Sequence, residues 1–209
     1  FKDSIISKGI NSSKIQFFPQ WAEPLFEPVE RNYKLLPQSI PKDSFKIMFA
    51  GNIGEAQDFP SILKAANKIK RNKKIHWIII GDGRRSDWVK NKIIEYNIES
   101  NFHMLGRHEI EKMPEYYSLA DAMLFSLKDE LIFSLTIPAK VQSYLACRKP
   151  ILAMINGEAS KIINNNKTGY TCRAGDFEEL AENIIKMSSL DSKELNELAE
   201  NSLKCYKEL

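Results

Sequence analysis

Two glycines and an amide follow the first long apolar run of the sequence. The run "FKIMFA" at 45–50 ends in Gly51-Asn52-Ile53-Gly54, after which a helical pattern begins. Glycines between a strand and a helix form tight turns, and they also let an anionic ligand approach backbone N–H groups. From this stretch alone, a structural turn and an anion site are both open.

Two more glycine turns, Gly81-Asp82-Gly83 and Gly106, follow later apolar runs. Each turn alone is explained by ordinary turn geometry. Because the carboxyl ends of parallel strands meet at one edge of a sheet, the turns together favour a nucleotide site. A dinucleotide dehydrogenase is disfavoured, because "GDGRRS" at 81–86 has two of the three fingerprint glycines and no acid ends the next strand.

Lys140 is the candidate cation of this site. Pro138 suits the first turn of a helix, where its missing N–H costs nothing, and Lys140 then lies in that turn. A cation beside the positive end of a helix is unfavourable unless an anion joins it, so we interpret Lys140 as a phosphate ligand. The alternative is a solvated lysine whose stem extends into water.

Short apolar runs alternate with longer amphipathic segments from Phe45 onward. This alternation predicts an α/β fold, a doubly wound Rossmann-like domain with helices on both faces of a parallel sheet. The predicted strands are 45–50, 75–80, 101–105, 121–125, 150–155 and 169–172. The predicted helices are 57–70, 85–97, 109–118, 138–147, 158–164, 176–188 and 192–206.

The first 44 residues have a different composition. Residues 19–44 contain five of the nine prolines, which predicts a linker rather than regular structure. The chain does not begin with Met, and its first residues have the pattern of a helix already in progress. We therefore expect a fragment of a longer protein.

Composition excludes several classes of function. A net charge of +3 over 209 residues, without a basic stripe interleaved with aromatics, argues against nucleic acid binding. Three cysteines without ligand spacing predict free thiols, as in a reducing compartment. His76 and His103 lie in predicted strands without partners at ligand spacing, so no metal site is expected. No signal peptide and no apolar stretch of about 18 residues is present, so we expect no membrane span.

The order of these motifs resembles a known family. "FAGNIGEAQDF", "WIIIGDGRR", "NFHMLGR" and "IPAKVQSYLACRKPILAMINGE" occur as in the donor-nucleotide half of group 1 (family 4) glycosyltransferases of GT-B architecture. Within that group the sequence looks most like bacterial transferases of surface-polysaccharide assembly (capsule or O-antigen), such as the fucosamine transferases. The resemblance implies that 1–20 are the last helix and strand of an N-terminal acceptor domain, 21–44 the interdomain linker and 45–209 the donor-binding domain.

The resemblance also implies an activity. Family members transfer a sugar with retention, commonly from a UDP-sugar, to a polysaccharide or lipid-linked acceptor. The nucleotide sugar is a substrate, and no further cofactor is expected. The missing N-terminal domain would bind the acceptor, so we expect the isolated chain to transfer no sugar, and the whole protein to work in the cytoplasm or at the inner face of the membrane. Two alternatives are a GT-B nucleotide-sugar epimerase and a non-catalytic nucleotide-binding domain.

The resemblance assigns phosphate contacts residue by residue. In the family, the glycine turn at 51–54 lies against the donor diphosphate. Many relatives carry an Arg directly after the first glycine and a Lys six residues after it, but Asn52 and Gln57 occupy those positions here. The usual charge pair is missing, so Lys140, with help from Arg84, must neutralise much of the diphosphate.

Base and hydroxyl contacts follow in the same way. The loop after the third strand holds the base in family members, which implicates Gly106, Arg107 and His108. Two glutamates spaced eight apart bind sugar and ribose hydroxyls in many relatives, and here Leu135 and Ser143 stand at those positions. Uncharged replacements form weaker hydrogen bonds than carboxylates. The expected catalytic residue is Lys140, and the complete set of predicted donor contacts is Gly51, Asn52, Gly54, Gly81, Gly83, Arg84, Gly106, Arg107, His108, Thr136, Lys140, Gln142, Ser143 and Glu158.

Arg148 is a further departure from the family pattern. It replaces a glycine that commonly follows the helix at 138–147. The left-handed conformation costs a residue with a side chain roughly 1 kcal/mol. We therefore expect this helix to end differently here.

Overall fold

The computed structural model describes residues 2–16, 18 and 20–208. Residues 1, 17 and 19 of the predicted acceptor-domain remnant, and residue 209, lie outside the described residues. The described part contains one six-stranded parallel sheet of order β3-β2-β1-β4-β5-β6. Its strands are β1 Phe45–Ala50, β2 Ile75–Ile80, β3 Phe102–Gly106, β4 Ala122–Ser126, β5 Ile151–Met154 and β6 Gly169–Cys172. The predicted α/β Rossmann-like fold is confirmed, with strand ends shifted by at most one residue.

Helices cover both faces of the sheet. They are α1 Lys2–Ile6, α2 Phe59–Lys68, α3 Ser86–Glu95, α4 Met113–Leu119, α5 Leu131–Ser134, α6 Ala139–Ala146, α7 Glu158–Asn165, α8 Phe177–Ser188 and α9 Ser192–Glu208. Helix α4 begins four residues later than predicted, because a 3₁₀ turn at Ile110–Lys112 precedes it. Helix α5 was not predicted, since four residues are too few to show a helical period. None of these helices is long and apolar enough to cross a bilayer.

The strands are apolar along their whole length because each face of the sheet has its own core. Ile47 and Phe49 of β1 pack on one face with α2, α3 and α8. Met48 and Ala50 pack on the other face with α4 and α6. Strand β1 pairs with both β2 and β4. Strands β2 and β3 are added on one side of β1 and strands β4 to β6 on the other, so the strand order reverses between β1 and β4. In open α/β sheets, ligands bind outside the carboxyl ends of the strands at such a switch point.

The segment before β1 corrects one expectation. Residues 2–6 form the expected helix, but no strand follows among the described residues before 45. A strand needs a neighbour to satisfy its backbone N–H and C=O groups, and the sheet of this chain uses only segments from Phe45 onward. Residues 20–44 are irregular apart from a 3₁₀ turn at Tyr33–Leu35.

The end of α6 corrects a second expectation. Arg148 does adopt the left-handed conformation, with φ of 56°. Its N–H donates to Leu145 O at 2.9 Å and the next N–H, of Lys149, donates to Tyr144 O at 3.1 Å, which is the Schellman pattern of a helix end. The Arg148 guanidinium also forms an ion pair with Glu200 of α9 at 2.6 Å. These contacts offset the backbone strain.

The strand histidines are also closer than their sequence positions suggested. His76 Nδ1 lies 3.0 Å from His103 Nε2, because β2 and β3 are neighbours. Burial, together with the charge of the adjacent His76, lowers the pKa of His103 to about 4. Both residues lie near the amino ends of their strands, whereas the glycine turns lie at the carboxyl ends. They are a neutral packed pair at neutral pH.

Gly81 is a glycine of the turns that the fold requires strictly. Its φ is 134°, and a Cβ there would collide with the carbonyl oxygen of Gly51. Gly106 also has a positive φ, of 75°, but a Cβ there would meet open space. We expect Gly81→Ala to lower the free energy of unfolding by about 2–4 kcal/mol through strain and overpacking, and Gly106→Ala by about 1 kcal/mol through strain alone. Urea unfolding of both variants measures the difference, and equal losses would contradict the close approach at Gly51.

Candidate functional site

The three glycine turns form one continuous surface at the carboxyl edge of the sheet. Gly51 N–H donates to Ile80 O at 2.8 Å, and Gly81 N–H donates to Gly106 O at 2.7 Å. These bonds continue the β1–β2 and β2–β3 pairing past the strand ends. The turns therefore come together as the sequence predicted.

The side chain of Asn52 fills the space between two of the glycines. A Cβ at Gly54 would lie 2.5 Å from Asn52 Nδ2, and a Cβ at Gly83 would lie 2.5 Å from Asn52 Oδ1. The nearby Gln57 accepts a hydrogen bond from Gly54 N–H at 3.1 Å through Oε1. Gln57, which stands where many relatives have a phosphate-binding lysine, thus orders the turn and adds no charge.

A cavity of about 590 Å³ opens over these turns. That volume lies within the usual range of small-molecule sites. Six of the predicted residues line it: Gly51, Asn52, Gly81, Gly83, Arg107 and His108. Apart from Asp82, the remaining wall is apolar, from Phe26, Ile110, Met113 and Tyr117 among others.

The apolar wall offers a flat surface. Phe26 stacks on Tyr117, with ring centroids 5.7 Å apart and planes 15° from parallel. His108 Nδ1 lies 3.2 Å from the hydroxyl of Tyr116, so the loop after β3 is held against α4. An aromatic floor beside backbone groups suits a heterocyclic base. The sequence analysis missed Phe26. The sequence marks this residue only as an aromatic side chain within the proline-rich segment 19–44.

Lys140 extends from α6 into the crevice between β1 and β4. Its Nζ lies 4.4 Å from the centroid of the Phe49 ring, and 2.5 Å from the position that a Cβ of Gly51 would occupy. This atom is buried and has no hydrogen-bond partner among the described residues. Burial lowers the pKa of Lys140 to about 8, and no charged side chain contributes to that shift. The ammonium group is thus desolvated beside Gly51, with only an aromatic face to stabilise it.

The start of α6 is fixed by contacts to β1. The helix begins at Ala139, one residue later than predicted, and Pro138 is its N-cap. The hydroxyl of the fully buried Tyr144 donates to Ala50 O at 3.2 Å and accepts from Ala50 N–H at 3.4 Å. This contact ties α6 to the last residue of β1, and so holds the Lys140 backbone beside the glycine turn.

Three predicted donor contacts are engaged locally in the structure. Thr136 Oγ1 donates to Ile132 O at 2.7 Å, and Ser143 Oγ donates to Ala139 O at 3.4 Å. Glu158 opens α7 and pairs with Lys161 at 2.8 Å. None of the three lines the cavity over the glycine turns.

The other predicted residues surround the turns. Arg84 is exposed at the rim, between the second glycine turn and α3. Gly106 ends β3 and accepts the hydrogen bond that joins the turns. Gln142 is 4% exposed, and its Oε1 has no hydrogen-bond partner among the residues described. Residues two apart on a helix do not share a face, so Gln142 does not point beside Lys140, and it does not line the cavity.

Comparison with known proteins now defines the class. Residues 35–204 match the model of the family described as glycosyl transferases group 1. The match covers most of the chain, which therefore belongs to that family.

Individual relatives agree with this assignment. The chain is 30% identical over 196 residues to the probable glycosyltransferase WbjE of Pseudomonas aeruginosa, covering 90% of the chain and 48% of that protein. The chain thus spans about half the length of this relative.

Two solved structures share the GT-B C-terminal fold. Anabaena Alr3699/HepE in complex with UDP and glucose aligns with a TM-score of 0.79 at 16% identity, over 99% of this chain and 56% of that one. The C-terminal domain of the group 1 glycosyl transferase LpcC of Francisella tularensis aligns with a TM-score of 0.71 at 20% identity, over 88% of this chain and 95% of that one.

Burial of Lys140 predicts how pH affects binding of a diphosphate. UDP is fully ionised above about pH 7. In the free protein Lys140 loses its proton as the pH rises through a pKa of about 8, whereas a bound anion favours the ammonium form. The affinity for UDP should therefore be constant below pH 8 and fall above it, by up to about tenfold per pH unit. Isothermal titration calorimetry between about pH 7 and pH 9, below the pH at which the uracil ring loses its N3 proton, measures this profile.

Lys140→Arg is the matched control for this profile. Arginine keeps its charge throughout this pH range, so the affinity of the variant for UDP should not vary with pH. A flat profile in the wild type, or the same fall in the variant, would contradict titration at Lys140.

Proposed function

We propose that this chain is the donor-binding domain of a retaining glycosyltransferase that uses a nucleotide sugar, with UDP as the nucleotide. Support comes from membership of the group 1 family and from the glycine turns, which line a cavity with an aromatic wall. The solved structure of HepE, which has the same fold, is a complex with UDP and glucose. The base would lie on the aromatic wall and the diphosphate over the glycine turns.

The observation that carries the proposal is the unpartnered ammonium of Lys140. A buried cation without an anion is costly, and it persists where the fold holds it in place for a ligand. Here α6 brings it to the switch point of the sheet, directly beside Gly51. A diphosphate seated on the glycine turn would supply the missing negative charge.

The same charge would assist the reaction. When the bond between the sugar and the diphosphate breaks, negative charge grows on the leaving phosphate. Lys140 and the free N–H groups at the start of α6 are already in place before the reaction, so they stabilise that charge without reorganisation. This makes Lys140 the residue that we assign to catalysis.

The complete protein would add the acceptor site. We assign 1–20 to the end of an N-terminal acceptor domain and 21–44 to the linker, so the isolated chain binds nucleotide without transferring sugar. The motif variants "GNIG" and "PAKVQSYLA" support a fucosamine-transferase-type enzyme of capsule or O-antigen assembly. Its acceptor would be a polysaccharide or lipid-linked sugar, reached from the cytoplasm at the inner face of the membrane. Acceptor-free isomerisation of a UDP-sugar by the complete protein would instead identify an epimerase.

Removing the ammonium group tests the donor site. We expect Lys140→Ala to weaken UDP binding by about 10- to 100-fold, the usual loss of a charged hydrogen bond, while the affinity for uridine stays the same. Calorimetry with both ligands measures the two affinities.

Lys90→Ala is the control for a general effect of net charge. Lys90 is an exposed lysine of α3 that pairs with Asp87, and its loss removes the same charge from the surface. This variant should bind UDP as the wild type does. Absence of UDP binding in the wild type, or equal affinities of Lys140→Ala and wild type, would refute the proposed function.

A further inference from the structure

Ser126 is a second buried polar group at the same end of the sheet. It is the last residue of β4 and is 1% exposed. Its Oγ has no hydrogen-bond partner among the described residues. A buried hydroxyl usually bonds to a nearby carbonyl, so an unpartnered one needs an explanation. Sequence reasoning did not single out this residue.

Ser126 and Gly51 stand at the carboxyl ends of neighbouring strands. Strands β1 and β4 pair directly, with Ile47 opposite Ala122 and Met48 opposite Met123. Gly51 and Ser126 each follow three residues after this last pair, on the two sides of the switch point. The segment after β4 is also joined to the segment after that turn, because Lys128 N–H donates to Ala56 O at 2.8 Å.

The side chain of Ser126 lies on the same face of the sheet as the Lys140 ammonium. Side chains alternate along a strand, so Ser126 shares the face of Leu124, which packs in one core with Phe49. The ammonium of Lys140 lies over the Phe49 ring. The same ammonium lies 2.5 Å from the position that a Cβ of Gly51 would occupy.

The two groups have complementary chemistry toward one kind of ligand. An ammonium group can only donate hydrogen bonds. A hydroxyl can also donate one, so both groups can donate to the same acceptor. The two atoms form no hydrogen bond with each other. One oxyanion would accept from both and remove two unpaired buried donors at once.

We propose that Ser126 is a phosphate-binding residue, whose hydroxyl donates to the phosphate that Lys140 neutralises. The inference rests on the proposed function, since it names an additional contact of the same donor site. It assigns to β4 a role in phosphate binding alongside the glycine turn and α6. The contact is specific for phosphate and adds nothing to binding of the nucleoside.

Ser126→Ala tests this assignment. We expect the variant to bind UDP about tenfold more weakly, the loss of one hydrogen bond to a charged group, and to bind uridine as the wild type does. Its free energy of unfolding should be unchanged or higher, because the substitution removes an unpartnered buried hydroxyl. Calorimetry with UDP and uridine, together with urea unfolding, gives all three values.

Ser118→Ala is the matched control. Ser118 is a buried serine at the end of α4, at the opposite edge of the sheet, and its Oγ donates to Glu115 O at 2.6 Å. This variant should be less stable and keep its affinity for UDP.

The possible failures are distinguishable. Wild-type affinity for UDP in Ser126→Ala, with the loss in Lys140→Ala intact, would overturn the role of Ser126 and leave the proposed function standing. An equal loss of uridine and UDP would show a general disturbance of the site and would also overturn it. Absence of UDP binding in the wild type would overturn both proposals.

Discussion

The site depends on one constraint, which is that the ammonium of Lys140 is buried beside Gly51 without a polar partner. Tyr144 bonds to the last residue of β1 and so fixes α6, and Gly51 leaves the space that the lysine occupies. The Phe49 ring stabilises the charge in part. The glycine turns, the switch point and the start of α6 therefore all act at one place, where the fold holds positive charge ready for an anion.

If the proposed donor site is correct, this arrangement would let the chain depart from the family pattern and still bind a phosphate. Many relatives carry basic residues within the first glycine turn. Here that turn is neutral: Asn52 packs between Gly54 and Gly83, and Gln57 bonds to the backbone. The charge comes from α6, on the other side of the crevice, through a side chain long enough to cross it. The same electrostatic task is thus performed from a different element.

The sequence predicted the fold well because the strands are mostly apolar and the longer helices are amphipathic. It predicted the glycine turns and Lys140 because their residue types are unusual at strand and helix ends. It could not show which polar groups lack partners: Ser126 became a candidate only when its surroundings were known. The left-handed Arg148 was misjudged because its compensation comes from Glu200, which is distant in sequence. Phe26 likewise reaches the cavity through tertiary packing.

The most direct test of a ligand-seeking ammonium is an NMR titration of the Lys140 side chain, with assigned ¹³C-labelled lysine, in the absence and presence of saturating UDP. Without UDP its pKa should lie near the value of about 8 that burial imposes. With UDP bound, the anion should raise this pKa above the ordinary lysine value of 10.5. A pKa that is the same with and without UDP would show that no phosphate contacts the ammonium, and would contradict the assignment of the donor site.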